Sequence, residues 1–136
     1  MAGKKADGSV EEKPVEAPKP SSGGEDNLFG ALCYIITLWV PLFVLFTDKK
    51  TNKFLAFHAW QSLILSVVWV VVFGGFSVIT GILTVFSGIG ALLSCLLFPL
   101  GGVALLAHLF LAYKAYQGET YKLPIVGEFA EKQVAK

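Results

Sequence analysis

The stretch that decides the fold is Thr47–Val68, TDKKTNKFLAFHAWQSLILSVV. Lys49, Lys50 and Lys53 crowd its start, and then ionised side chains stop. From Phe54 to Tyr113, 60 residues, there is no Asp, Glu, Lys or Arg. Apolar residues make up 54% of the 136-residue chain and charged ones 15%. A soluble fold this small has no interior large enough to hide such a tract, whereas lipid solvates apolar side chains on every side. The composition therefore predicts an integral membrane protein whose first partner is the bilayer. The formal net charge of +1 leaves no basic footprint for nucleic acid.

Outward from the tract, residues 1–26 mix lysines, acids and prolines with little apolar content. Such a segment buries too little surface to offset its ordering entropy, and it reads as a disordered polar tail. Its acids and its lack of an early apolar core argue against a transit or secretory peptide. Leu28–Phe46 is a 19-residue apolar run, close to the ~20 residues that cross a bilayer core. Asp26 or Asn27 is placed to cap it. Pro41 strips the Thr37 carbonyl of its helical partner and predicts a kink, with Trp39 beside it. Cys33 and Cys95 read as buried free thiols, since they show no metal-ligand spacing.

The uncharged tract would reach ~90 Å as one helix. Its candidate breaks are Gly74-Gly75, Gly81–Gly90 and Phe98–Gly102. Lysines flank it at both ends, so both ends belong on the cytoplasmic face and the tract crosses an even number of times. The expectation is an all-α helical bundle over 27–117, with three transmembrane helices at about 28–46, 55–78 and 90–114. Four result if the tract splits at Gly74-Gly75 and Pro99–Gly102. Residues 118–136 then form a cytoplasmic segment, and the N-terminal tail lies outside. Lys49, Lys50, Lys53, Tyr113 and Tyr121 are the expected interface anchors. The many glycines of the tract offer either a close-packing seam or the ordinary glycine content of membrane helices.

Few polar residues remain to carry chemistry. His58 and Gln61 are three apart and share a helix face. They either sit at the wet interface or face the bundle interior, where they would need a partner such as Asn52, Tyr34 or Tyr116. His108 lies roughly 12 Å along its helix from Tyr116. It either packs between helices or serves a transport path. No nucleophile elbow, P-loop, HExxH or carboxylate pair occurs, so no enzyme, metal or cofactor is expected.

Two motifs carry a resemblance. FHAWQSL, at Phe57–Leu63, resembles the F-H-A-x-Q-S signature of a widespread family of small bacterial and archaeal membrane proteins of unknown function, grouped as similar to Tic-twenty, the membrane subunit of the chloroplast inner-envelope import translocon. The closing AYKAYQGETYKLPIVGEFAEKQ resembles the end of the same family, and the likeness spans about Asn27 to Gln133. It implies a helical membrane bundle and points to His58, Gln61, Tyr116, Gly118, Lys122, Pro124 and Gly127. The interval between His58 and Ala115-Tyr116 is longer than in short members. If the two motifs return to one face, His58, Gln61, Tyr116 and Lys122 form a polar cluster near the cytoplasmic boundary. The leading expectation is a non-enzymatic structural, assembly or translocation-associated protein of a prokaryotic plasma membrane, multi-pass, that self-associates or binds other membrane proteins. The alternative is a small channel or transporter built on His108 and the glycine-rich region.

Overall fold

In the computed structural model, residues 23–136 are described. The expectation of a disordered tail falls mostly outside them. Its last residues are ordered: helix α1, Gly24–Ile35, begins inside that stretch. Then come α2 (Trp39–Phe46), a 3-10 turn over Asp48–Thr51, α3 (Lys53–Ser87), α4 (Ile89–Ser94), α5 (Leu97–Tyr116) and α6 (Val126–Val134). No strand occurs among the described residues.

The apolar run expected as one kinked helix is two helices. The chain leaves helical geometry at Ile36–Leu38 and restarts at Trp39, which places Pro41 in the first turn of α2, where a missing N–H costs least. The direction reverses there. Asn52, just before α3, donates from Nδ2 to the Asp26 carboxylate at 2.8 Å, near the start of α1. Lys49 lies 3.7 Å from the Glu25 carboxylate and 4.1 Å from the centre of the Phe29 ring. The outer ends of α1 and α2 therefore lie together, and the pair is a helical hairpin with its tip at Ile36–Leu38. Asp26 serves this tie and not the helix cap that the sequence suggested; the N-cap position is Gly23.

Helix α3 runs unbroken for 35 residues, through Gly74-Gly75, and ends at Gly88 in left-handed geometry (φ 71°). Asn52 caps it, its side-chain oxygen accepting the Phe54 N–H at 3.0 Å. The expected spans at 55–78 and 90–114 correspond to a longer α3 and to α4 with α5. The stretches Lys53–Ser87 and Ile89–Tyr116 are long and apolar enough to cross a bilayer. Gly118, at φ +78°, closes α5: its N–H bonds the Ala115 carbonyl at 2.9 Å and the Glu119 N–H bonds Lys114 at 3.0 Å. This is the paired-bond helix ending that a positive φ allows.

The core lies at the lysine-bearing end. There α1 fills the space between α3 and α5, and Ala31, Tyr34, Leu65, Leu111, Ala112 and Ala115 form one buried cluster. On the other side of α1, Cys33 and Val44 pack with Phe54, Leu55 and Ala59. Beyond Leu65 only Thr80 of α3 is buried, and Val70, Val85, Phe86 and Phe98 are broadly exposed. Cys95 is also exposed, unlike the buried thiol expected. Gly74, Gly75, Gly81 and Gly102 have no neighbour within 4 Å of a built Cβ, so the expected glycine seam does not form within the chain at those positions.

Candidate functional site: a buried polar clamp

His58 and Gln61 sit on the second and third turns of α3, on the face turned to α1. Both are buried, with 1% and 0% exposure, so they lie in the bundle interior and not at the wet interface. Their partner is Tyr34 of α1, itself 1% exposed. Of the other sequence candidates, Asn52 is engaged with Asp26, and Tyr116 is 61% exposed.

The network has a fixed direction. The Tyr121 carbonyl can only accept, and Gln61 Nε2 reaches it at 3.0 Å; the Leu123 N–H can only donate, and Gln61 Oε1 lies 3.5 Å from it. These two backbone groups orient the amide. Its second N–H goes to the Tyr34 oxygen at 3.0 Å. Tyr34 then donates its own hydrogen to His58 Nδ1 at 3.0 Å. With Nδ1 accepting, a neutral imidazole carries its proton on Nε2. Nε2 meets no partner in full hydrogen-bond geometry, although the Glu119 backbone approaches it. Phe54 and Phe57 hold the imidazole edge-on, with ring centres 4.5 and 5.4 Å away. One relay thus joins α1, α3 and the segment between α5 and α6.

Lys122 reaches this cluster by its stem only. Its ammonium donates to Glu131 of α6, whose side chain is 7% exposed. Gly127 makes the approach possible, since a Cβ there would lie 2.6 Å from Lys122 Cγ and 3.1 Å from Gln61 Oε1. The preceding Ile125 adopts φ 70°, ψ −63°, with the Val126 N–H bonded to the Pro124 carbonyl at 2.8 Å. This is a strained γ-turn on a branched residue. Of the predicted four, the fold brings together His58, Gln61 and the Lys122 stem. Tyr116 faces outward, and Tyr34 and Glu131 complete the set. Tyr34 was visible only as one of several partners, and Glu131 carried no sequence signal beyond lying in the closing motif.

His108 stands apart. Its Nδ1–H bonds the Ala104 carbonyl of its own helix at 2.8 Å. It borders a cavity of about 430 Å³ at the hairpin tip, with Tyr34, Thr37, Ser66 and Trp69. Of the expected anchors, Lys49 pairs with Glu25, Lys50 and Lys53 are exposed, and Tyr113 and Tyr121 are 59% and 41% exposed. Among the described residues no group of three or more His, Cys, Asp or Glu side chains converges for a metal ion.

A chain whose described residues form helices without strands, with two stretches long and apolar enough to cross a bilayer and no ionised side chain between Phe54 and Tyr113, is a membrane protein of the small helical kind. Residues 25–130 match the model of a magnetosome magnetite crystal formation protein family, MamF_MmsF, and the chain belongs to that family. It is also similar to two archaeal membrane proteins of uncharacterised families. It is 38% identical to the UPF0132 membrane protein MJ1443 of Methanocaldococcus jannaschii, over 84% of this chain and 93% of that one. It is 37% identical to a UPF0132 membrane protein of Archaeoglobus fulgidus, over 81% and 96%. No solved structure matches it. The match is to this family and to these relatives; the Tic-twenty likeness is a finer assignment than they give.

Proposed function

We propose that the chain is a non-enzymatic structural or assembly component of a prokaryotic plasma membrane, acting through association with copies of itself or with other membrane proteins. One observation carries the reading: the buried His58 and Gln61 of the first motif are turned on Tyr34 and on backbone groups of the closing motif. Gln61 uses both N–H groups and its oxygen on this chain, and Tyr34 both accepts and donates within it. A catalytic or conducting site leaves such groups facing a substrate; a scaffold spends them on shape. A translocation role of the Tic-twenty kind is one form of this reading. A part in magnetosome magnetite crystal formation, which the family's description names, is another.

In this reading the α1–α2 hairpin enters from the lysine-bearing face and returns to it. Helices α3 and α5 cross. The N-terminal tail, the lysine loop and α6 then share one face, in place of three crossings with an outside tail. Backbone that turns back at membrane depth is tolerated where protein surrounds it, as α3 and α5 surround α1. Single cysteines at Ser9, Thr51, Ser87 and Lys132, in a background lacking Cys33 and Cys95, test it in intact cells. The expected outcome is that an impermeant thiol reagent distinguishes Ser87 from the other three. Labelling of Ser9 together with Ser87, and not with Thr51, restores the three-span arrangement.

The cavity bordered by His108 favours one second reading, a small transporter. Proteoliposomes separate the two: a proton or solute flux abolished by His108→Ala supports transport. Silence of the vesicles, with chemical cross-linking of the chain into defined complexes, supports the scaffold.

A further inference from the structure

A second cavity, of about 340 Å³, lies at the lysine-bearing end, away from the clamp, where the 3-10 turn and the start of α3 meet the end of α6. Lys50 and Lys53 border it from one side and Gln133 from the other. Lys136 also borders it, on the side of Gln133. Neither Lys50 nor Lys53 makes an ion pair among the described residues, where the paired lysines are Lys49, Lys114 and Lys122. No acidic side chain lines the cavity: Glu25 is held by Lys49 and Glu131 by Lys122. The floor is apolar, made by Leu45, Ala56 and Trp60, and leads onto the membrane-facing part of α3.

We propose that this cavity is a binding site for one anionic phospholipid, its phosphate between the Lys50 and Lys53 ammonium groups and an acyl chain lying along Leu45 and Trp60. Two cations without an ion pair among the described residues, bordering the same cavity as an indole, match a headgroup and glycerol joined to a hydrocarbon tail, and a free phosphate leaves that floor uncovered. Basic pockets at a membrane face recognise such headgroups by charge, and an indole sits well at that depth. The site requires the lysine face to be at headgroup level but is indifferent to whether the protein scaffolds or transports.

The test uses the full chain with Trp39→Phe and Trp69→Phe, leaving Trp60 as sole indole, in phosphatidylcholine vesicles containing a minor fraction of phosphatidylglycerol. Acyl chains are brominated on one lipid or the other, and quenching of Trp60 reports occupancy. The expected result is preferential, saturable quenching by the brominated phosphatidylglycerol. The K50Q/K53Q pair should weaken that preference by roughly thirtyfold, about a factor of five per lysine. K132Q, on the same face but outside the cavity, should leave it unchanged. Equal quenching by both lipids, or equal loss in K132Q, shows only a diffuse surface charge and overturns the site. Displacement of the lipid by free inorganic phosphate overturns the assignment to a phospholipid. Emission of Trp60 in pure phosphatidylcholine reports whether each variant remains folded.

Discussion

Gln61 is the residue on which three parts of the chain converge. Truncating it strands the Tyr34 hydroxyl and two backbone groups in a buried place, so Gln61→Ala should lower stability by about 2–4 kcal/mol. Tyr34→Phe keeps the ring and removes only the relay's middle, and should cost about 1–2 kcal/mol. Unfolding in mixed detergent micelles measures both. The two losses should be less than additive, because each variant breaks the same chain of bonds. Full additivity means the relay is no relay. His58 and Gln61 were legible because polar side chains stand out against an uncharged tract. Their partner was legible only as one of three candidates, since a tyrosine at the seventh position of another apolar run looks like any interfacial aromatic.

At the scale of elements, α6 is held chiefly by polar and close-packed contacts near its ends. Lys122→Ala leaves Glu131 buried without its cation and should destabilise the docked α6 by about 3 kcal/mol. Glu131→Gln should cost less, since no charge is left stranded. Hydrogen exchange at Val126–Val134 reads the difference: fast exchange in Lys122→Ala with α3 still protected is the expected pattern. At the end of α5, Gly118→Ala forces a Cβ into φ +78° and against the Asn27 side chain, at a cost of about 1–2 kcal/mol. Gly118 was readable as a helix ending from its place between a helical run and a turn. The hairpin of α1 and α2 was not readable. Pro41 announces a break, but a kinked crossing and a full reversal share the same sequence signal. Contacts from Asp26 and Glu25 to the turn before α3 decide between them.

At the scale of the whole molecule, the lysine-bearing half has a packed core and the far half has almost none. Helix α3 is about 52 Å long, against ~30 Å for an ordinary hydrocarbon core. Such a helix must tilt, thicken the bilayer locally or be covered by protein. Thermal stability in phosphatidylcholine bilayers should therefore rise as acyl chains lengthen from fourteen to about twenty carbons. A stability independent of chain length means that the far half of α3 is covered by something other than lipid.

The membrane environment, the lysine-bearing end and the shared helix face of His58 and Gln61 follow from the sequence by itself. They depend on where charge is present, where it is missing and how residues are spaced, and that pattern is one-dimensional. Only the tertiary structure decided that the first apolar run doubles back, that Tyr34 and not Tyr116 completes the clamp, and that Lys122 turns to Glu131. Each of these depends on which segments meet in space. An apolar run of given length is equally soluble in lipid whether it crosses or returns, so hydropathy carries no information about the choice; hydrogen bonds between distant residues do.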